Sequence, residues 1–256
     1  MYEVFFVGCG PGDPDLITVK AADLIRRADV MVYSGSLIPS AISDMCSGTK
    51  HDASGMVRQE ITDVLRSAAQ DGKTTIRLHD GDPTIYGAIR EQMDQLEKDG
   101  IRCTIIPGVT AMLASAAALG AQLTLPGVTQ TIIITRVESR TEVPKVESIS
   151  SLAQHQATMV LYLSVHLLKK IVQQAIDGGY ESKTPVAVVY RASQKDQMII
   201  VGTLNDIEKK VRKERITRTA MVIIGDVIKP RQYEYSKLYD ASFSHMYRRA
   251  NVKQSE

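Results

Sequence analysis

The chain has no apolar run near the roughly 20 residues that a membrane-spanning helix requires, so no span is expected. It has no excess of charge of one sign either: 31 Lys and Arg stand against 29 Asp and Glu, for a net charge of +2. That balance argues against a non-specific nucleic-acid binder, which needs a broad basic face, but leaves room for a local basic pocket. Cysteine is scarce. Cys9, Cys46 and Cys103 are odd in number, widely spaced and unlike any zinc pattern. Reduced thiols in a cytoplasmic protein are therefore expected, with no protein metal site. The strand-like stretch at residues 2–7 starts at once, so no signal peptide is expected. Internal repeats, low-complexity tracts and a Ser-His-Asp constellation are all missing from the sequence.

What is present is alternation. With 256 residues, 44% of them hydrophobic, the chain can fill the core of one large domain or two smaller ones. Residues 2–7, 30–33, 74–78 and 103–106 read as strands. Residues 16–28, 58–71, 82–99 and 109–120 read as helices. Strands separated by helices imply parallel pairing with right-handed crossovers. In the second half, 130–136, 158–164, 185–191, 198–203 and 219–226 read as longer, β-branched strands. One helix spans 165–177 and stops at Gly178-Gly179. Another opens at Thr203 as its cap and turns Leu204, Ile207 and Val211 inward. The fold class expected is α/β, as two α/β domains: residues 1–120, then 121–230 with a mixed sheet, then a polar extension at 231–256. Leu125-Pro126-Gly127 breaks the pattern at the junction.

The most informative stretch is Gly81-Asp82-Pro83-Thr84-Ile85-Tyr86-Gly87, where a strand hands over to an amphipathic segment. Asp82 before Pro83 predicts a helix start, with Asp82 as cap and Pro83 in the first turn. Other special residues fall in the same kind of place, just after strands: 8–13, 34–36, 107–111, 136–140, 163–164 and 191–193. Parallel strands bring such ends to one edge, so these clusters are expected to meet in one crevice, between the domains. The first loop, Gly8-Cys9-Gly10-Pro11-Gly12-Asp13, misses the G-x-G-x-x-G spacing of a dinucleotide site, and Asp13 would repel a pyrophosphate. A ligand without phosphates is favoured.

Three motifs in order carry a resemblance: the run from Val7 to Thr18, the Gly81-Asp82-Pro83…Tyr86-Gly87 loop, and Ile106-Pro107-Gly108-Val109-Thr110-Ala111. Together, with Tyr162-Leu163-Ser164 and the 185–192 strand behind them, they resemble the tetrapyrrole (corrin/porphyrin) methylase family over essentially the whole chain. Within that family the cues are Arg77-Leu78-His79, residues 86–93, Leu123-Thr124-Leu125-Pro126 and residues 236–240. These resemble the members that act on precorrin-4. The resemblance implies two α/β domains with the cofactor cleft between them, a homodimer, and no nucleic-acid or membrane partner. The implied activity is methyl transfer from S-adenosylmethionine (SAM) to C-11 of cobalt-precorrin-4 or precorrin-4, in cobalamin biosynthesis. The implied cofactor contacts are Pro11, Asp80, Gly81, Asp82, Ile85, Thr110, Ala111, Leu163 and Ala192. Cys9 and Asp80 depart from the residues usual at their positions.

The implied chemistry asks little of the protein at the methyl itself, so alignment in a dry cleft is expected to supply most of the rate and no catalytic residue is assigned. A base for a ring N–H is sought among His79, Asp52 and Glu138. The polycarboxylate substrate calls for arginines at the cleft mouth: Arg136 and Arg140 first, then Arg77 and Arg191. Competing readings are a methylase of the same fold with a protein or RNA acceptor, a nicotinamide oxidoreductase, and a non-catalytic tetrapyrrole carrier.

Overall fold

The computed structural model describes residues 2–250. The chain divides into two compact units, one built from residues up to Ala118 together with Val189–Ile199, the other from Leu119–Val188 and the residues from Ile200 onward.

The first unit begins with β1 (Glu3–Gly8), α1 (Val19–Arg27), β2 (Val30–Tyr33), the single-turn α2 (Ser40–Ser43) and β3 (Thr49–Asp52). It continues with α3 (Arg58–Gln70), β4 (Thr75–His79), α4 (Arg90–Lys98), β5 (Arg102–Ile106) and α5 (Ala111–Leu119). The strands form one sheet in the order β3-β2-β4-β1-β5. All four pairings are parallel. Period-two alternation fills both faces. Val4 and Phe6 of β1 join Ile61 and Leu65 of α3 and Leu96 of α4, whereas Val7 joins Leu24 and Ile25 of α1 with Met31 and Ile76. Burying each such side chain contributes about 1.5–3 kcal/mol, and coverage of both faces is what a parallel sheet demands.

One helix start and one strand of this unit differ at once from the sequence reading. The first helix starts at Val19, capped by Thr18 Oγ1 accepting from the Ala21 N–H at 3.3 Å. β3 went unread because its residues, Thr-Lys-His-Asp, show no apolar alternation; it is an exposed edge strand held by its ladder to β2.

The second unit contains β6 (Ile132–Arg136), α6 (Ile149–Ala153), β7 (Thr158–Tyr162), α7 (Leu168–Asp177), β8 (Pro185–Tyr190), β9 (Met198–Thr203), α8 (Ile207–Lys213) and β10 (Ala220–Ile224). Its sheet runs β6-β7-β10-β8-β9. β6 and β7 are parallel, whereas β7 and β10 are antiparallel. α7 ends where Gly178 lets α6 approach: a Cβ there would lie 2.4 Å from the Ser150 carbonyl. Thr203 does not cap α8. Instead the Asp206 carboxylate accepts from the Thr203 N–H at 2.7 Å, and the helix starts at Ile207.

The unit boundary falls two residues before the expected 120, and the β8–β9 connection joins the first unit rather than the second. The extension after 231 groups with the second unit, where the Glu234 N–H donates to the Pro126 carbonyl at 2.9 Å. Residues 251–256 of that extension lie outside the described residues.

Candidate functional site

β1, β4 and β5 are adjacent and parallel, so the loops after them leave the same edge of the sheet. There the three sequence motifs become one backbone cluster. The Cys9 N–H donates to the His79 carbonyl at 2.8 Å, and Gly10 and Gly81 exchange N–H···O bonds at 3.2 and 2.8 Å. A Cβ on Gly8 would sit 2.6 Å from the Gly81 carbonyl oxygen. One on Gly108 would sit 2.2 Å from the same atom and 3.0 Å from Gly8 Cα. Glycine at positions 8 and 108 therefore answers a steric demand: three main chains pass too close for side chains.

Asp82 does not start a helix. Its Oδ1 accepts from the Thr84 N–H (2.8 Å) and hydroxyl (2.5 Å), and its Oδ2 accepts from the Gly108 N–H at 3.0 Å. The chain then runs through a tight turn with Tyr86 and Ala88 in the left-handed region (φ 57° and 49°), and α4 begins only at Arg90. An aspartate bonded two residues on and across to a neighbouring loop competes with the helix that Asp-Pro suggested. Partial burial pushes the Asp82 carboxyl up, but these donors hold it below the usual carboxylate range.

Asp82→Ala is expected to cost about 1–2 kcal/mol in urea denaturation at neutral pH. Because the folded pKa is depressed, that contribution is present above the ordinary value of 3.8 and fades as pH falls through the folded value. The variant and the parent should converge in acid.

The other expected residues divide by placement. A Cβ on Gly81 (φ 59°) would face Ala111 N and Thr110 Cα, each at 3.7 Å, so Gly81, Thr110 and Ala111 border one surface. Ile85 is partly buried and Ala192 buried. Asp80 is exposed, yet the surrounding protein pushes its carboxyl up, against the pull of its own backbone N–H and of the Arg77 charge. Leu163 belongs to the second unit, follows β7 in the left-handed region (φ 54°), and is 68% exposed.

Two of the four arginines, Arg77 and Arg191, are engaged within the first unit. Arg77 is buried at 6% exposure in the central strand and donates to the carbonyls of Val32 and Leu78, both at 3.2 Å. Arg191 is spent within its own loop, on Gln194 and Asp196. Arg136 sits at the end of β6 opposite Tyr162 in register and holds the carbonyls of Thr141 (3.1 Å) and Glu142 (2.7 Å). Arg140 is exposed.

Of the base candidates, Asp52 is occupied by the Gly35 and Ser54 N–H groups and the Ser54 hydroxyl, which hold it low. Glu138 is exposed on a loop whose carbonyl accepts from Lys170. His79 is buried against Phe6, and burial with Arg77 nearby pulls it down to about 3, too weak a base for the task. Burial, with Asp80 adding to it, pushes the Cys9 thiol up to about 12, so it stays protonated and inert.

Gln194 escaped the sequence reading, and Ser193 was legible only as one of the post-strand residues 191–193. The Ser193 hydroxyl accepts from the Asp13 N–H at 3.1 Å, and Gln194 Nε2 donates to the Pro11 carbonyl at 3.2 Å. Only the left-handed backbone at Arg191 and Ser193 (φ 45° and 70°) aims them there, and no short motif encodes it. Among the described residues no group of three His, Cys, Asp or Glu is placed to hold a metal. No helix among them is long and apolar enough to cross a membrane.

Residues 3–208 match the family of Tetrapyrrole (Corrin/Porphyrin) Methylases. The cobalt-precorrin-4 C(11)-methyltransferase of Methanocaldococcus jannaschii is 49% identical over 98% of both chains. The precorrin-4 C(11)-methyltransferase of Pseudomonas aeruginosa is 44% identical over 96% of this chain and 98% of its own. A solved cobalt precorrin-4 methyltransferase superposes with TM-score 0.87 at 40% identity, covering 89% of this chain and 96% of its own. The uroporphyrin-III C-methyl transferase of Thermus thermophilus, solved with S-adenosylhomocysteine (SAH), gives 0.76 at 27% identity, covering 89% of this chain and 99% of its own.

Proposed function

We propose, from the premise that this chain belongs to the tetrapyrrole (corrin/porphyrin) methylases, that it transfers a methyl group from SAM to C-11 of cobalt-precorrin-4 or precorrin-4 in cobalamin biosynthesis. It is a SAM-dependent methyltransferase by the family it belongs to. The observation that carries the cofactor reading is the chemistry of the first unit's carboxyl edge. Residues 8–13, 80–87 and 107–111 hold no lysine or arginine but three aspartates, Asp13, Asp80 and Asp82. Such an edge disfavours phosphate and suits a cation. SAM, when bound, supplies a methyl already activated by its sulfonium.

The residues proposed to hold it are Pro11, Asp80, Gly81, Asp82, Ile85, Thr110, Ala111, Ala192 and, from the second unit, Leu163. Gly81, whose N–H and C=O are paired with Gly10, and the small Ala111 leave room for an adenine edge, and Ile85 offers apolar surface to a ring. Asp80 adds an acidic side chain at the same edge for positive charge. Asp82 Oδ2, already bonded to Gly108, has a lone pair left for one more donor. The protein's part is then orientation and exclusion of water rather than proton transfer at the methyl. Arg140 and the unspent Nε of Arg136 are the proposed partners of substrate carboxylates. A homodimer belongs to the same reading, with the exposed Tyr235, Tyr239, Met246 and Tyr247 of the extension as apolar surface for it.

The test is to supply SAM carrying a carbon-13 methyl with cobalt-precorrin-4 and to locate the label by NMR. A label at C-11 is expected. A label at another ring carbon would keep the methylase and overturn the regiochemistry. No transfer by a protein that still binds SAH would redirect the search to protein or RNA acceptors.

A further inference from the structure

We propose that Gln194, aimed by Arg191, is a positioning residue that clamps the glycine loop of residues 10–13 in its cofactor-ready shape. The inference rests on the reading of Pro11 as a cofactor contact and adds residues that the family motifs do not supply. Arg191 Nε donates to Gln194 Oε1 at 2.7 Å, which fixes the amide so that Nε2 faces the other way. That nitrogen donates to the Pro11 carbonyl at 3.2 Å. Arg191 is itself anchored, by Nη1 on Asp196 at 2.6 Å and by stacking over the Tyr190 ring at 6.0 Å. The neighbouring Ser193 hydroxyl takes the Asp13 N–H at 3.1 Å, and its own N–H donates to Gln197 Oε1 at 2.7 Å.

The loop is shaped to receive this clamp. Gly12 has φ 131°, and a Cβ there would fall 2.5 Å from Gln194 Cγ, so the glutamine side chain occupies the space that any other residue would need. Arg191 and Ser193 hold left-handed backbone that non-glycine residues rarely adopt, which the surrounding bonds must maintain. A loop ordered before binding spends less affinity on ordering at the moment of binding. The role of Arg191 is thereby changed: it acts through Gln194 on the cofactor side rather than on a substrate carboxylate.

Gln194→Glu separates these roles. The carboxylate keeps its bond to Arg191 but has no proton for the Pro11 carbonyl and repels it. SAH affinity by calorimetry is expected to fall about tenfold, the cost of one lost hydrogen bond with an acceptor left against a charge. The KM for SAM should rise in step, while the KM for the tetrapyrrole and the thermal midpoint stay near the parent values. Arg191→Lys should repeat the pattern, because a lysine cannot present the Nε donor. In cofactor-free Gln194→Glu, the Gly12 and Asp13 amides should exchange hydrogen about tenfold faster. SAH affinity within about twofold of the parent with unchanged exchange would overturn the clamp. So would a rise in the tetrapyrrole KM alone in Arg191→Lys. If the parent protein failed to bind SAH, the cofactor reading would fall, and the exchange result would still decide whether the clamp exists.

Discussion

Gly108→Ala is expected to lower the thermal midpoint by about 10 °C and to abolish SAH binding, although it adds one methyl group. That methyl would have to occupy a point 2.2 Å from the Gly81 carbonyl oxygen and 2.9 Å from the Gly8 carbonyl carbon. Both obstacles are main chain, so no rotamer change relieves the contact. Three parallel-strand ends would have to separate, breaking the Gly108 N–H bond to Asp82 and straining the Gly10–Gly81 pair. Overpacking against backbone costs about 3 kcal/mol, which in a chain of this length shifts the midpoint by several degrees per kcal/mol. The control is Gly55→Ala, where a Cβ meets nothing within 4 Å and the backbone needs no positive φ; its midpoint should not fall. Calorimetry of the two variants decides the matter, and a Gly108→Ala protein melting within a degree or two of the parent would show that the three loops can part without loss.

The same cluster shows how far the sequence could be read. The repeated alternation of apolar segments was enough for most strands and helices of the first unit, because a parallel sheet covered on both faces leaves its signature in the strands it buries. Val4, Phe6 and Val7 are legible as core for that reason. β3 left no such signature, because Thr49–Asp52 is held by its main-chain ladder and by polar side-chain bonds, with no apolar side to alternate. The motif glycines were legible as special but not as one another's neighbours. That fact depends on β4 and β5 flanking β1, an order that residue spacing does not encode.

Asp82 misled for a related reason. A carboxylate before proline predicts a helix cap from local residues, whereas Gly108, 26 positions away, claims one of its oxygens. Arg77 looked like a ligand for carboxylates because charge is seldom buried; two carbonyl acceptors in the sheet made burial tolerable. Gln194 was invisible for want of any pattern: its partner Pro11 lies 183 residues back. Tertiary contacts of this kind shape the site, and local propensity carries no trace of them.

Below about pH 6.5 the protein is expected to lose stability steeply, and His79 is the group responsible. It is 7% exposed, stacked at 6.1 Å on Phe6, and its Nε2 has no hydrogen-bond partner among the described residues. Burial, then the Arg77 charge on the same strand, pulls its pKa from 6.5 down to about 3, with Asp82 opposing. The sign follows directly. Above the unfolded value both states hold a neutral imidazole and stability is full. As pH falls below it, the unfolded chain takes up a proton that the folded chain refuses until about 3. Each pH unit in that window removes about 1.4 kcal/mol, or about 2.5 kcal/mol between about pH 6.5 and pH 4.5.

Of the five histidines, the other four, His51, His155, His166 and His245, are exposed or only partly buried; the depressed Asp82 acts at lower pH, and Asp80, whose carboxyl the surrounding protein pushes up, takes its proton more readily when folded and so opposes the loss. Urea denaturation across that window should therefore show a slope that His79→Gln largely removes, even if the variant is weaker at pH 7. Because the His79 carbonyl holds the Cys9 N–H, loosening should reach the glycine cluster first, and SAH affinity should decline over the same interval. A slope unchanged in His79→Gln would place the acid sensitivity elsewhere and return the imidazole to an exposed, ordinary environment.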